Sequence, residues 1–254
     1  MGAKKKPSRP KILVTGESVL VDEVASVCSR QFDVRTRYND VKGRRALPDS
    51  RSIRQTNIIP KSVLLAIEAT NTSTEEKKKN LMDLDDALPL VTPILTSSVT
   101  VSIAEQATWT RFPQRLVGFA AFPTLFTNDL IELAPGVRTT RESIDRTKEV
   151  LFRTGKQVSV VQDRVGLVLP RILCMLINEA CFALMENVAL PQDIDTAMKL
   201  GTNYPWGPIE WGAKIGMRQV YAVIKSIHDD LGEDRYRPAP LLKQLASAGE
   251  LWKN

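Results

Sequence analysis

The sequence predicts an α/β fold: a mainly parallel sheet covered by helices, followed by an all-helical C-terminal part. Three observations carry this. Short apolar runs alternate with helical periods from Lys11 to Val161, the pattern of βαβ units. The first strand, helix and strand follow one another with no long break. Beyond Asp163 every apolar period is helical. With 254 residues, 43% of them hydrophobic, the chain can bury one large or two modest cores.

Lys11-Ile-Leu-Val-Thr15, stopped by Gly16, is a first buried strand. Val21, Val24, Ala25 and Cys28 recur at helical spacing, so 18–29 reads as a helix with Ser18 as N-cap. Residues 32–36 give a second strand. The Arg-rich stretch 39–60 has no sustained apolar period and reads as loop. A strand at 63–67 precedes a charged helix at 73–88, capped by Ser73 or Thr74, with Glu75 and Glu76 where carboxylates suit the helix dipole. Strands at 94–95, 116–121, 129–133 and 157–161 follow. A short helix at 101–107 and an amphipathic one at 141–154, closed by Gly155, lie between them. Four helices are then expected, at 167–187, 191–200, 216–231 and 240–248. The implied organisation is a basic tail at 1–10, a sheet domain at 11–162 and a helical domain at 163–254.

Composition excludes several classes. No apolar run approaches the roughly 18–20 residues of a membrane-spanning helix. The three cysteines form no Cys-x-x-Cys pair, so neither a disulfide framework nor a zinc site is expected, and a reducing compartment is. No metal is expected. Residues 1–61 carry fourteen Lys and Arg against six Asp and Glu, so the net charge of +6 is local to the N-terminal quarter. Lys4, Lys5, Lys6, Arg44, Arg45, Arg51 and Arg54 are the candidate contacts, with RNA or with acidic protein faces, because clustered cations attract polyanions. The first ten residues lack the apolar core of a secretory signal and the pattern of a transit peptide.

Four strings in the helical part have a specific order: Asn178-Glu-Ala180, Pro191-Gln-Asp-Ile-Asp-Thr-Ala-Met-Lys-Leu-Gly201, Tyr204-Pro-Trp-Gly-Pro-Ile-Glu210 and Arg235-Tyr-Arg-Pro-Ala-Pro-Leu-Leu242. Together they resemble the C-terminal domain of the L-3-hydroxyacyl-CoA dehydrogenase family. Ile94-Leu-Thr-Ser-Ser98, Arg115-Leu-Val-Gly-Phe119, Leu130-Ile-Glu132 and Asp163-Arg-Val-Gly166 extend the resemblance upstream, to about residue 12. It implies an NAD-binding Rossmann domain, a helical domain that forms the dimer, and substrate in the cleft between them. It also implies a His base oriented by a Glu, since imidazole titrates near working pH.

The residues at the family's functional positions differ. The phosphate loop G-x-G-x-x-G is here Gly16-Glu-Ser18-Val-Leu-Val21, with only the first glycine kept. Ser18 and Val21 crowd the position, and Glu17 opposes an anion. The ribose-binding acid falls at Arg37 or Tyr38. Ala120 stands where the base belongs, while Glu132 matches its orienting carboxylate. The substrate-positioning asparagines are Pro123 and Pro170, and the sole histidine, His228, lies far along the helical part. The CoA-covering excursion is shortened to the Arg-rich loop, and the chain ends at Asn254 before the family's Gly-Lys-x-x-Gly-Phe ending.

The expectation drawn from these substitutions is a degenerate Rossmann-like domain without cofactor, and a pseudoenzyme with Glu132, Gly16, Ser18 and Val21 as vestiges. It would serve as a structural subunit of a large assembly, with a mitochondrial ribosome or respiratory chain complex as host, and a cytoplasmic location otherwise. Its partners would be protein subunits, a second copy or a related chain docked through the helical domain, and RNA, with no membrane-spanning segment. Two alternatives remain: an acyl-CoA or nucleotide sensor without turnover, and an NAD-dependent 3-hydroxyacyl-CoA dehydrogenase with an unusual site.

Overall fold

The structure, a computed structural model, describes residues 9–40 and 52–249. Among the described residues eight strands form one sheet: β1 (Lys11–Gly16), β2 (Asp33–Tyr38), β3 (Ile53–Gln55), β4 (Leu65–Ala69), β5 (Ile94–Ser97), β6 (Leu116–Phe119), β7 (Leu130–Pro135) and β8 (Gln157–Val160). Their spatial order is β3-β2-β1-β4-β5-β6-β7-β8. Only the β6–β7 pair is antiparallel. From β1 the chain winds outward to β2 and β3 and then returns to β4 on the other side, so the order reverses between β1 and β4. A crevice opens outside the C-terminal ends of strands at such a reversal.

Strand alternation builds two layers. Ile12 and Val14 point into a core shared with Val21, Val24 and Cys28 of α1 (Ser18–Cys28) and with Val150 and Leu151 of α4 (Arg141–Arg153). Leu13, Ala66 and Ile94 point the other way, against Leu81 and Leu84 of α2 (Thr74–Ala87) and Ile103 of α3 (Ile103–Gln106). Both faces are covered, as a parallel sheet requires. The α2 N-terminus has the anticipated cap: the Ser73 hydroxyl accepts from Glu76 N–H.

The C-terminal domain is helical: α5 (Leu169–Met185), α6 (Pro191–Thr202), α7 (Pro208–Ile215), α8 (Met217–Leu231) and α9 (Pro240–Ala248). Its core of Leu173, Cys174, Ile177, Val220, Ile224 and Leu242 continues into Val99, Ala120, Phe122 and Ala134 at the edge of the sheet domain. No helix among the described residues is long and apolar enough to cross a membrane.

Three local expectations need correction. The stretch 39–60 contains β3, a three-residue edge strand held by parallel pairing to β2 rather than by an apolar period. The N-cap of α1 is Glu17, in extended conformation, and Ser18 already lies inside the helix. Residues 208–215 form α7, a fifth helix where none was expected between 200 and 216; Pro208 sits at the first helical position, where its missing N–H costs nothing.

All three cysteines are buried and free. Burial pushes the Cys28 and Cys181 thiols up to about 12 and Cys174 well above its ordinary value. The thiolate is the reactive form. The native protein is therefore expected to stay unmodified by a thiol-alkylating reagent at neutral pH, and to take up three labels, counted by mass, once denatured. Labelling of the native state at the denatured rate would contradict the burial.

Candidate functional site

The end of β1 is drawn tightly onto β4. Gly16 has φ +139°, and a Cβ there would lie 2.2 Å from the Ala69 carbonyl oxygen, so only glycine fits. Glu17 N–H donates to the same oxygen at 3.0 Å. The Glu17 side chain makes no capping bond to α1. It crosses the crevice instead: Oε1 accepts from Asn71 N–H (2.7 Å), Thr72 N–H (2.6 Å) and the Thr72 hydroxyl (2.9 Å), and Oε2 from Gln219 Nε2 of α8.

A second carboxylate covers the start of α1. Ser18 N–H donates to Asp40 Oδ1 at 3.2 Å. Val21 is fully buried behind it. Gly16, Ser18 and Val21 thus meet at one place, as their spacing implies. A dinucleotide pyrophosphate needs free N–H groups and bare backbone at this place. Here the gap between β1 and β4 holds the Glu17 carboxylate, and Asp40 faces the helix start. The residues do not fit the dinucleotide in this arrangement. Of the positions after β2, Arg37 pairs with Asp83 at 2.5 Å and the Tyr38 hydroxyl donates to Asp22 at 2.9 Å.

The next group lies at the ends of β4 and β5. Ser97 Oγ donates to Asn71 Oδ1 at 2.5 Å, and Asn71 Nδ2 donates to Ala121 O (2.8 Å) and Gln219 Oε1 (2.9 Å). The Ser97 carbonyl accepts from Lys77 Nζ and Gln106 Nε2, both at 2.9 Å. Lys77 pairs with Glu68 at 2.5 Å, and both side chains are buried. Beside Asn71 an interdomain cleft of about 520 Å³ is lined by Thr72, Thr74, Thr100, Arg218 and Lys225.

Glu132 on β7 reaches across to the helical domain. Its two oxygens accept from Val168 N–H and Leu169 N–H, each at 2.8 Å, and satisfy donors that the start of α5 leaves unpaired. Ala120, just past β6, is its neighbour: Ala120 N–H donates to Glu132 O at 3.2 Å. The Ala120 methyl packs in the interdomain core with Val99, Phe122, Leu167 and Leu173. Pro170 is buried in the first turn of α5. His228 lies in the last turn of α8.

Sequence reasoning missed Asn71 and Gln219, and read Glu17 only as a charge at a helix start. The one available signal was Asn71 directly after the buried strand at the reversal. Of the cationic candidates Arg54 is exposed on β3, whereas Lys4, Lys5, Lys6, Arg44, Arg45 and Arg51 lie outside the described residues. Among the described residues no cluster of His, Cys, Asp and Glu could hold a metal ion.

A sheet with its reversal between β1 and β4, joined to a helical C-terminal domain, is a Rossmann-like architecture of two domains. The comparisons specify it. Residues 25–164 match the family described as "3-hydroxyacyl-CoA dehydrogenase, NAD binding domain", and residues 166–254 match "3-hydroxyacyl-CoA dehydrogenase, C-terminal domain". The chain belongs to the 3-hydroxyacyl-CoA dehydrogenase family. The first match begins downstream of Gly16–Val21.

The chain is 33% identical over 187 residues to a 3-hydroxybutyryl-CoA dehydrogenase of Bradyrhizobium diazoefficiens, covering 74% of this chain and 64% of that protein. It is 32% identical over 191 residues to one of Clostridioides difficile, covering 75% and 68%. The match thus spans about two thirds of these relatives' length. The crystal structure of (S)-3-hydroxybutyryl-CoA dehydrogenase PaaH1 from Ralstonia eutropha superposes with a TM-score of 0.76 at 25% identity, covering 96% of this chain and 95% of that one.

These relatives correct the functional expectation. Bacterial proteins named as dehydrogenases overturn the non-catalytic assembly subunit, the pseudoenzyme, and the mitochondrial, ribosomal and respiratory-chain associations drawn from the substitutions. Missing motif residues identify what has been replaced at a position. They do not establish that the reaction is gone.

Proposed function

We propose that the chain is an oxidoreductase interconverting 3-hydroxyacyl and 3-oxoacyl thioesters of coenzyme A in the cleft between its two domains. The observation that carries this is the family match over 25–254, with relatives named 3-hydroxybutyryl-CoA dehydrogenase at 33% and 32% identity. The anchored Ser97 supports it. Its carbonyl is fixed by Lys77 and Gln106 and its hydroxyl donates to Asn71, which lines the interdomain cleft, so a rigid buried polar group lies one residue behind that wall. To serve the substrate's C3 oxygen this hydroxyl has to turn away from Asn71 Oδ1, which now takes its proton. Glu132 fixes the start of α5 against the sheet domain.

With a methyl group at position 120, no side chain there titrates near neutral pH. Acid–base assistance from a well-placed group contributes about 10²–10⁴-fold, so turnover is expected to be slow. The test is steady-state reduction of 3-oxobutyryl-CoA with NADH. Wild type shows thioester-dependent consumption, and Ser97→Ala lowers kcat/KM by about ten-fold, the worth of roughly one hydrogen bond to the substrate. Absence of thioester-dependent turnover contradicts the reading. An unchanged Ser97→Ala removes Ser97 from it.

A further inference from the structure

We propose that Glu17 is an internal latch: its carboxylate occupies the dinucleotide crevice as a built-in anion and ties the sheet domain to α8. Four donors converge on it from two parts of the chain. Asn71 N–H, Thr72 N–H and the Thr72 hydroxyl meet one oxygen, and Gln219 Nε2 meets the other. Consecutive backbone N–H groups aimed at one point are an anion cradle. This cradle lies at the reversal between β1 and β4, where an α/β sheet of this order takes its ligand. Here the chain fills it with its own side chain.

The latch is built to move without unfolding what carries it. Glu17 is the N-cap residue of α1, yet its side chain makes no bond to that helix, so swinging it out costs α1 nothing. The backbone bonds that fix the loop, Glu17 N–H to Ala69 O and Val21 N–H to Glu17 O, do not involve the carboxylate. Its release does cost the domain contact, because Gln219 loses a charged partner and keeps only Asn71 Nδ2. A group that displaces Glu17 must bring the cradle a negatively charged oxygen. A dinucleotide phosphate does, and it must compete with a carboxylate already tethered at high effective concentration. The crevice therefore stays closed to the dinucleotide until that exchange, and the exchange loosens the domains. Only the identity of the occupant rests on the oxidoreductase reading.

The experiment is a titration of the full chain with NADH, followed by nicotinamide fluorescence without thioester, on wild type, Glu17→Gly and Glu17→Gln. In parallel, hydrogen exchange is read at the Asn71 and Thr72 amides. Removing the side chain is expected to tighten NADH binding by about ten-fold or more, with Glu17→Gln between the two, within the usual range of coupling between sites. In Glu17→Gly the two amides are expected to exchange about ten-fold faster, and NADH to restore their protection. Equal NADH affinity in all three proteins, or unchanged amide exchange in Glu17→Gly, overturns the latch. Circular dichroism reports whether Glu17→Gly folds; if it does not, the affinity gain of the near-isosteric Glu17→Gln decides in the same way. Tighter NADH binding by Glu17→Gly without thioester turnover leaves the latch standing and removes the oxidoreductase reading.

Discussion

Replacing Ala120 with histidine is expected to raise kcat for thioester reduction by about 10²-fold, the lower end of what a positioned acid–base group supplies. Ala120 follows β6 directly opposite Glu132 of the antiparallel partner β7, as the Phe119–Leu133 register and the Ala120 N–H bond to Glu132 O show. An imidazole grown from this Cβ starts on the same face as the Glu132 carboxylate, and it has to displace the core packing of Val99, Phe122, Leu167 and Leu173 and share Glu132 with the Val168 and Leu169 N–H groups. The variant should also gain an inflection in its kcat–pH profile at roughly pH 6.5, absent from wild type. A stopped rate increase with no new inflection would show that the imidazole acts through packing. No increase at all would place the reacting oxygen elsewhere.

Lys77→Met is expected to lower unfolding free energy by about 3–5 kcal/mol, because it leaves the Glu68 carboxylate buried without its partner. Both side chains are inaccessible to solvent, and Glu68 is otherwise served only by Thr96 and Asn80. The same substitution leaves the Ser97 carbonyl with Gln106 Nε2 as its remaining side-chain donor, so kcat/KM should fall with stability. Removing both charges at once, in Lys77→Met with Glu68→Leu, should restore most of the stability, as replacement of a buried pair by apolar groups commonly does. Urea unfolding of the two variants checks this. A loss below about 1 kcal/mol for Lys77→Met would mean that the pair is as weakly coupled as an exposed one.

The sheet was legible because its centre is written in consecutive buried residues. Ile12-Leu-Val14 and the run at 63–67 read as strands because Gly16 and the capped α2 bound them, and the second lies two residues further on, at Leu65–Ala69. β3 was illegible because three half-exposed residues at an edge carry no period, and their pairing to β2 is decided in three dimensions. α7 was hidden by Gly207-Pro208, a pair that marks a turn and a helix start equally well.

The crevice shows the same division. The lost glycines at 18 and 21 could be read residue by residue. The reach of Glu17 to Asn71, Thr72 and Gln219 could not, since Gln219 is 202 residues away and only the closing of the helical domain over the strand ends brings it near. Ala120 is a methyl group in the interdomain core. What it implies for activity was overdrawn, because a missing base limits rate, whereas the relatives speak to the reaction itself.

The proposed reaction oxidises or reduces C3 of an acyl-CoA thioester. The most direct measurement is product analysis by mass spectrometry after incubation of 3-hydroxybutyryl-CoA with the full chain, run with NAD, with NADP and with neither. The expected product is a thioester lighter by one pair of hydrogens, formed only with enzyme and a nicotinamide dinucleotide and increased by Ala120→His. Recovery of the unchanged thioester from every incubation, the histidine variant included, would contradict it.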